Sequence, residues 1–204
     1  MTTWEMFFKE RLITIFTHSS SLIDIGAGLR VYKEKGNRVD PTRQWMRPYL
    51  EKIDYQVLDP IPDYHPDIVG DIHALPFGDN TQDAIVCLAV LEHVEDPFRA
   101  CREMLRALKA GGYCFVYVPF LYYYHAEKGY YKDFWRFTKD SFPLLFQGFT
   151  RMEICPVRGA VETWMHLSPW GKYSLIKTMS RILDAVFSKK LSNQVSGFYI
   201  ALQK

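Results

Sequence analysis

Cysteine is scarce in this chain and stands alone where it occurs. Cys87, Cys101, Cys114 and Cys155 show no CxxC or zinc-like spacing. Three of them fall in apolar stretches, where a reduced thiol behaves as a small hydrophobe. A disulfide scaffold and a zinc module are therefore not indicated, and the cytoplasm is the expected compartment. Long apolar runs are missing too. The longest, Ala84–Leu91, has eight residues, far short of the ~20 that span a bilayer. At the N-terminus, Leu12–Phe16 is a short apolar stretch preceded by Glu5, Lys9, Glu10 and Arg11, which is not a secretory core. Charge of one sign is also lacking: 25 Lys and Arg against 23 Asp and Glu leave +2, which argues against a nucleic-acid partner. The remaining composition is ordinary for a globular chain, with 48% hydrophobic and 24% charged residues. A chain of this length buries roughly 70% of its unfolded surface and needs no staple.

No repeat or low-complexity linker interrupts the sequence, so residues 1–204 read as one domain. It divides into an N-terminal helix (1–19), a core (20–155) and a C-terminal helix with a last strand (156–204). Trp4, Phe7, Phe8, Leu12, Ile15 and Phe16 recur at helical spacing. Ser21–Ile25 reads as a buried strand cut off by Gly26-Ala27-Gly28. Residues 29–54 are mixed, with weak helical signal over Arg43–Lys52. Tyr55–Leu58 is a second strand stopped by Asp59-Pro60, and Ile68-Val69 a brief third before Asp71. Asp83–Leu88 is a continuous apolar strand of the kind buried on both faces. Asp96-Pro97 then starts a helix as N-cap and first-turn proline. Its apolar stripe is Phe98, Cys101, Met104, Leu105 and Leu108, with Gly111-Gly112 as the expected end. Tyr113–Val118, up to Pro119, completes a strand–helix–strand unit, which makes the sheet at least partly parallel. A strand near Met152–Val157, an amphipathic helix near Tyr173–Phe187 and a strand at Gly197–Leu202 complete the chain. The alternation implies a three-layer α/β domain.

Open sheets of this kind bind ligands beyond the carboxyl ends of their strands. Gly26-Ala27-Gly28 sits at such an end, either as a plain strand-ending turn or as a ligand cradle. A dinucleotide fingerprint needs a third glycine where Val31 stands, so a pyrophosphate cradle and a nicotinamide oxidoreductase are disfavoured. Asp24 beside the turn would repel a phosphate but suits a ligand carrying an ammonium and a sulfonium. Asp59 offers two acceptor oxygens to ribose hydroxyls. Asp71-Ile72 offers an acceptor for an exocyclic amine and an apolar wall for a purine.

Four segments taken together, Ser21–Gly28, Asp71–Phe77, Asp83–Val94 and Leu108–Gly112, resemble the motif series of class I S-adenosylmethionine-dependent methyltransferases. The resemblance is to the methyltransferase type 11-like subgroup associated with saccharide and lipid biosynthesis, and covers roughly residues 20–155. It implies a Rossmann-like fold with a mostly parallel seven-stranded sheet and an antiparallel last strand. S-adenosylmethionine is the implied cofactor. By resemblance, Asp24, Gly26 and Gly28 line its methionine and ribose side, Asp59 holds the ribose, and Asp71 with Ile72 meets the adenine. Leu88 and Ala89 border the sulfonium, and His93 stands near the cofactor edge. The spacing from Asp24 to Asp59 exceeds the ~20 residues of a tight mononucleotide unit, so the first crossover helix is distorted or carries an insertion.

The acceptor is expected over the segment after Pro119. Residues 113–137 hold 12 of the chain's 32 aromatics, a composition suited to a sugar or a ring-bearing substrate. His125 is the candidate general base or acceptor ligand, and Arg136 is expected to pair with Asp133 or Asp140. Glu92 reads as a helix-start carboxylate, and no carboxylate cluster with metal-site spacing is evident. The expected reaction is O-methylation of a small-molecule or saccharide/lipid-linked acceptor; the alternative is a cofactor- or partner-binding protein without catalysis. Residues 169–190 join an apolar stripe to five basic residues and only Asp184. Such a helix either packs on the sheet as the crossover into the last strand or lies on anionic lipid as a peripheral contact. Oligomeric state is not legible.

Overall fold

The structure is a computed structural model describing residues 1–36, 38–187 and 192–204. In chain order it runs α1 (Thr3–His18), β1 (Ser21–Ile25), α2 (Arg47–Leu50), β2 (Asp54–Asp59), β3 (Ile68–Val69), β4 (Gln82–Leu88) and α3 (Pro97–Ala107). Next come β5 (Leu108–Pro119), α4 (Phe142–Leu145), β6 (Arg151–Val157), α5 (Ala160–Leu167), α6 (Ser174–Val186) and β7 (Gly197–Gln203). The sheet order is β3-β2-β1-β4-β5-β7-β6. β1 to β5 pair in parallel, and β7 inserts antiparallel between β5 and β6.

Two apolar layers hold the sheet. β4 is buried on both faces because its side chains alternate between them. Ile85 and Cys87 join Ile23, Ile25 and the α3 residues Cys101 and Met104 on one side. Ala84, Val86 and Leu88 meet Leu12, Ile15 and Phe16 of α1 on the other. α1 begins in a capping box in which Thr2 Oγ1 accepts from Glu5 N and the Glu5 carboxylate from Thr2 N. At α3, Asp96 Oδ1 accepts from Arg99 N at 2.9 Å, the N-cap expected from Asp96-Pro97.

Three features differ from the expectations. Among its described residues the β1–β2 crossover contains no full helix, only two 3₁₀ turns (Lys33–Lys35 and Pro41–Met46) and the four-residue α2. Left-handed backbone at Ala27 and Arg30 breaks the helix at its start, and Pro41 and Pro48 interrupt the rest of the crossover. α3 stops at Ala107, before the glycine pair. Gly111 and Gly112 lie inside β5, next to a register shift against β4 between Gln82 and Ala84. Gly111 takes a φ of +77° there and donates to Lys204 O, so the pair serves an irregularity of the strand rather than a helix end. Finally, α5 has no counterpart among the expected elements, and α6 rests on α5 through its polar residues Ser180 and Asp184 instead of packing its apolar stripe on the sheet. Residues 188–190 of the proposed lipid-contact segment lie outside the described residues.

Candidate active site

Two adjoining cavities, of about 510 and 660 Å³, open over the carboxyl ends of β1 and β4. Both volumes suit a small-molecule site. They share a wall made of Gly28, Arg30, Arg38, Leu88, Ala89 and His125. The first cavity extends toward Asp59, Ile72 and His93. The second extends toward Glu92, Tyr122, Arg158 and His166.

The strand ends supply the first cavity. Asp59 closes β2, nearly buried, with Oδ1 accepting from Ile61 N at 2.9 Å; that is its side chain's one hydrogen bond among the described residues. Burial raises its carboxyl above the usual range. Asp71 caps the next turn: its Oδ1 accepts from His73 N and from His73 Nδ1 at 2.9 and 2.8 Å. Ile72 beside it is buried and lines the cavity as an apolar wall.

Gly26 and Gly28 line the first cavity, as expected, and have a packing role besides. A Cβ on Gly28 would stand 2.6 Å from Leu88 Cβ, and one on Gly26 would stand 2.6 Å from Val90 Cγ2. Both glycines therefore let the β1 turn lie flush against the end of β4, while Gly26 also adopts a φ of +76°. Asp24 does not line either cavity. It is fully buried beneath the loop, where Oδ2 accepts from Leu29 N and from Tyr55 O–H at 3.0 and 2.9 Å. Its Oδ1 has no partner among the described residues, and burial pushes the carboxyl up to about 7. Asp24 thus shapes the loop from below and lines neither cavity. Arg30 and Arg38 are the cations that both cavities share. Ala89 completes the wall with left-handed backbone (φ 57°), held by its N–H on Tyr117 O at 3.0 Å.

The aromatic segment after β5 folds over this wall. Glu92 O accepts from Phe134 N and Trp135 N at 2.7 and 3.2 Å, and Trp135 Nε1 donates to Val94 O at 2.9 Å. Tyr130 stacks on Tyr64 with ring centroids 5.3 Å apart, joining the segment to the turn after β2. Arg136 forks onto Asp133 with contacts of 2.6 and 2.7 Å, the pairing expected from sequence. That pair holds Asp133 down to about 2. Asp133 in turn accepts from His125 N at 2.8 Å and so fixes the histidine.

Glu92 is the residue that sequence reasoning missed. Its side chain is completely buried, and among the described residues neither carboxylate oxygen has a hydrogen-bond partner. Two imidazole nitrogens face it: His125 Nε2 lies 3.7 Å and His93 Nε2 3.9 Å from Oε1. Each ring is anchored at its other nitrogen, since His125 Nδ1 donates to Tyr123 O and His93 Nδ1 to Lys132 O. Each ring therefore turns its Nε2 edge toward the buried carboxyl group. The donor atoms of this trio lie within 4.8 Å of one another, close enough to share one positive charge. The Glu92 carboxylate raises His125 above the ordinary imidazole range, whereas burial lowers His93 below it. A signal for the trio existed in Glu92-His93, but its third member comes from the far side of β5.

A family model described as a methyltransferase domain matches residues 45–116. The match takes in Asp59, Asp71, Ile72, Leu88, Ala89 and His93, and lies outside the glycine loop and His125. The demethylmenaquinone methyltransferase of Renibacterium salmoninarum is 49% identical over 45 residues, which are 22% of this chain and 19% of that protein. The chain thus spans about a fifth of the length of that curated relative. A SAM-dependent methyltransferase structure from Archaeoglobus fulgidus superimposes with a TM-score of 0.61 at 14% identity, covering 96% of this chain and 90% of the other. Phosphoethanolamine N-methyltransferase 2 of Haemonchus contortus, solved with S-adenosyl-L-methionine, gives a TM-score of 0.53 at 12% identity, covering 97% of this chain and 52% of the other. These structural likenesses speak to the fold, and the domain match to the sequence of its central strands. Together they show similarity to a methyltransferase domain over residues 45–116, on a fold shared with S-adenosylmethionine-dependent methyltransferase structures.

Proposed function

We propose that the protein transfers a methyl group from S-adenosylmethionine to a hydroxyl oxygen of a small-molecule or saccharide acceptor. The observation that carries this reading is the shared wall of the two cavities, with His125 on it and a buried carboxylate behind. Residues lining the first cavity fit the cofactor. Asp59 keeps an oxygen uncommitted for the ribose hydroxyls, Ile72 and Asp71 suit the adenine, and Arg30 complements a carboxylate. When bound, S-adenosylmethionine supplies an electrophilic methyl group on a sulfonium sulfur. Leu88 and Ala89 would border that sulfur, and His93 the cofactor edge.

The second cavity takes the acceptor. Tyr122 and His166, stacked with centroids 5.8 Å apart, give it the flat apolar faces that sugar rings and aromatic rings use. His125 receives the acceptor's proton at Nε2, because Nδ1 is already committed to Tyr123 O. Glu92 stabilises the resulting imidazolium across 3.7 Å. Positioning accounts for much of the rest, since in-line displacement gains up to ~7–11 kcal/mol from held geometry. The test is calorimetric titration with S-adenosylhomocysteine alongside a methyl-transfer screen over hydroxylated acceptors, using wild type and His125→Ala. Cofactor affinity is expected to survive the substitution while turnover falls about 10²–10³-fold. An intact rate would remove His125 from the chemistry. Binding with no methylated product from any acceptor would leave a non-catalytic binding protein.

A further inference from the structure

Amphipathic helices of globular domains turn their apolar stripe inward. α6 does the reverse. Its buried residues are Ser180 and Asp184, each about 2% exposed. Asp184 caps the start of α5, with Oδ1 and Oδ2 accepting from Val161 N and Glu162 N at 2.9 Å each. Arg181 donates to Glu162 Oε1 at 2.8 Å and approaches Glu5. These contacts lock the polar stripe against the protein and fix the helix rotation. On the outer stripe, Leu175, Ile182 and Val186 are 69%, 57% and 68% exposed. Met179 and Phe187 are exposed beside them. Trp164 on α5, with Trp170 and Tyr173 in the turn before α6, extends the patch at its edge. A continuous apolar patch of this size marks an interaction surface.

The charges identify the occupant. Asp184 is the sole acidic residue from Thr163 to Lys204, and it is buried. The exposed charges beside the patch, Lys172 and Lys177, are both positive; Lys189 and Lys190 come later in sequence, outside the described residues. Two copies of this face would repel one another, whereas anionic headgroups attract it. Aliphatic residues flanked by tryptophan, tyrosine and lysine also match the composition of helices lying in a bilayer interface. We propose that α5 and α6 dock this face onto an anionic lipid surface. His166, also on α5, lines the second cavity, so the docking face and that cavity share a helix, and a lipid-linked acceptor is the matching choice. The docking stands apart from the methyl-transfer reading; only the choice of acceptor rests on it.

The experiment is flotation with phosphatidylcholine vesicles, with and without phosphatidylglycerol, monitored also by tryptophan fluorescence. Wild type is expected to float with the anionic vesicles and shift its emission to the blue. Ile182→Glu/Val186→Glu should abolish both effects, and Lys172→Gln/Lys177→Gln should weaken anionic binding about 30-fold. Circular dichroism and S-adenosylhomocysteine titration establish that the variants remain folded. Absence of flotation, flotation unchanged in Ile182→Glu/Val186→Glu, or a dimer in sedimentation that this variant dissolves would overturn the docking. Flotation without S-adenosylhomocysteine binding would support docking and strike only the methyl-transfer reading.

Discussion

Along the edge that faces the first cavity, carboxylates are answered by their own neighbours. Asp59 takes the N–H of Ile61, and Asp71 takes that of His73, each two residues on. Under the aromatic segment the opposite holds. Glu92 has no hydrogen-bond donor among the described residues, and the Nε2 atoms of two imidazoles face it at 3.7 and 3.9 Å. An unsatisfied buried anion is costly unless a positive charge reaches it. In the first region each carboxylate thus has one oxygen already held by the backbone and the other left over, which suits binding. The second is left one charge short, which suits a place where a proton is handed over.

The contrast breaks most visibly at Glu92. Glu92→Gln should lower turnover by about 10–10³-fold while leaving S-adenosylhomocysteine affinity near wild type. The histidine sets the sign of the pH effect. Glu92 raises His125, so the neutral, proton-accepting form appears only above that raised value. Removing the carboxylate should move the acid limb of the rate profile to lower pH. A limb that stays in place, with turnover unchanged, would reduce Glu92 to packing. On the binding side, Asp59→Ala should weaken cofactor affinity by about 1–3 kcal/mol without reshaping the pH profile. An unaltered titration would contradict the ribose assignment.

The smallest effect concerns Asp24, which belongs to the glycine loop but to neither cavity. Burial raises it to about 7 in the folded state against an ordinary carboxyl when unfolded. Its folded form therefore holds a proton more tightly, so this contribution is fully present at acidic pH and is lost as pH rises toward and through 7. Asp24→Asn should flatten the fall in thermal stability between mildly acidic and alkaline pH, by about 2 kcal/mol at the alkaline end. Parallel melting curves for the two proteins across that range would refute it.

Much of the frame was legible in the sequence because its signals are local. Asp96-Pro97 marks the start of α3, Asp59-Pro60 the end of β2, and the unbroken run in β4 a strand covered on both faces. Where a signal had two uses, sequence reading chose the commoner one. Gly111-Gly112 stops helices in general, yet here it relieves β5 beside a register shift. Asp24 sits next to a ligand-like turn, yet its carboxylate is spent on Leu29 and Tyr55. The catalytic candidates divide the same way. His125 stands out as the sole histidine in an aromatic stretch, whereas Glu92 becomes unusual only when β5 and the returning segment seal it from water. α6 gives the last case: its periodicity reveals two stripes, but which one points inward depends on Asp184 reaching the first turn of α5.

That arrangement separates two properties that usually share residues. Fold stability in the C-terminal helices is written on Ser180, Arg181 and Asp184, while the outward stripe from Leu175 to Phe187 contributes little to holding the chain together. Substitutions on the outer stripe can therefore strengthen, weaken or redirect attachment without melting the domain. A single thirteen-residue helix gives evolution, or an engineer, two independent dials.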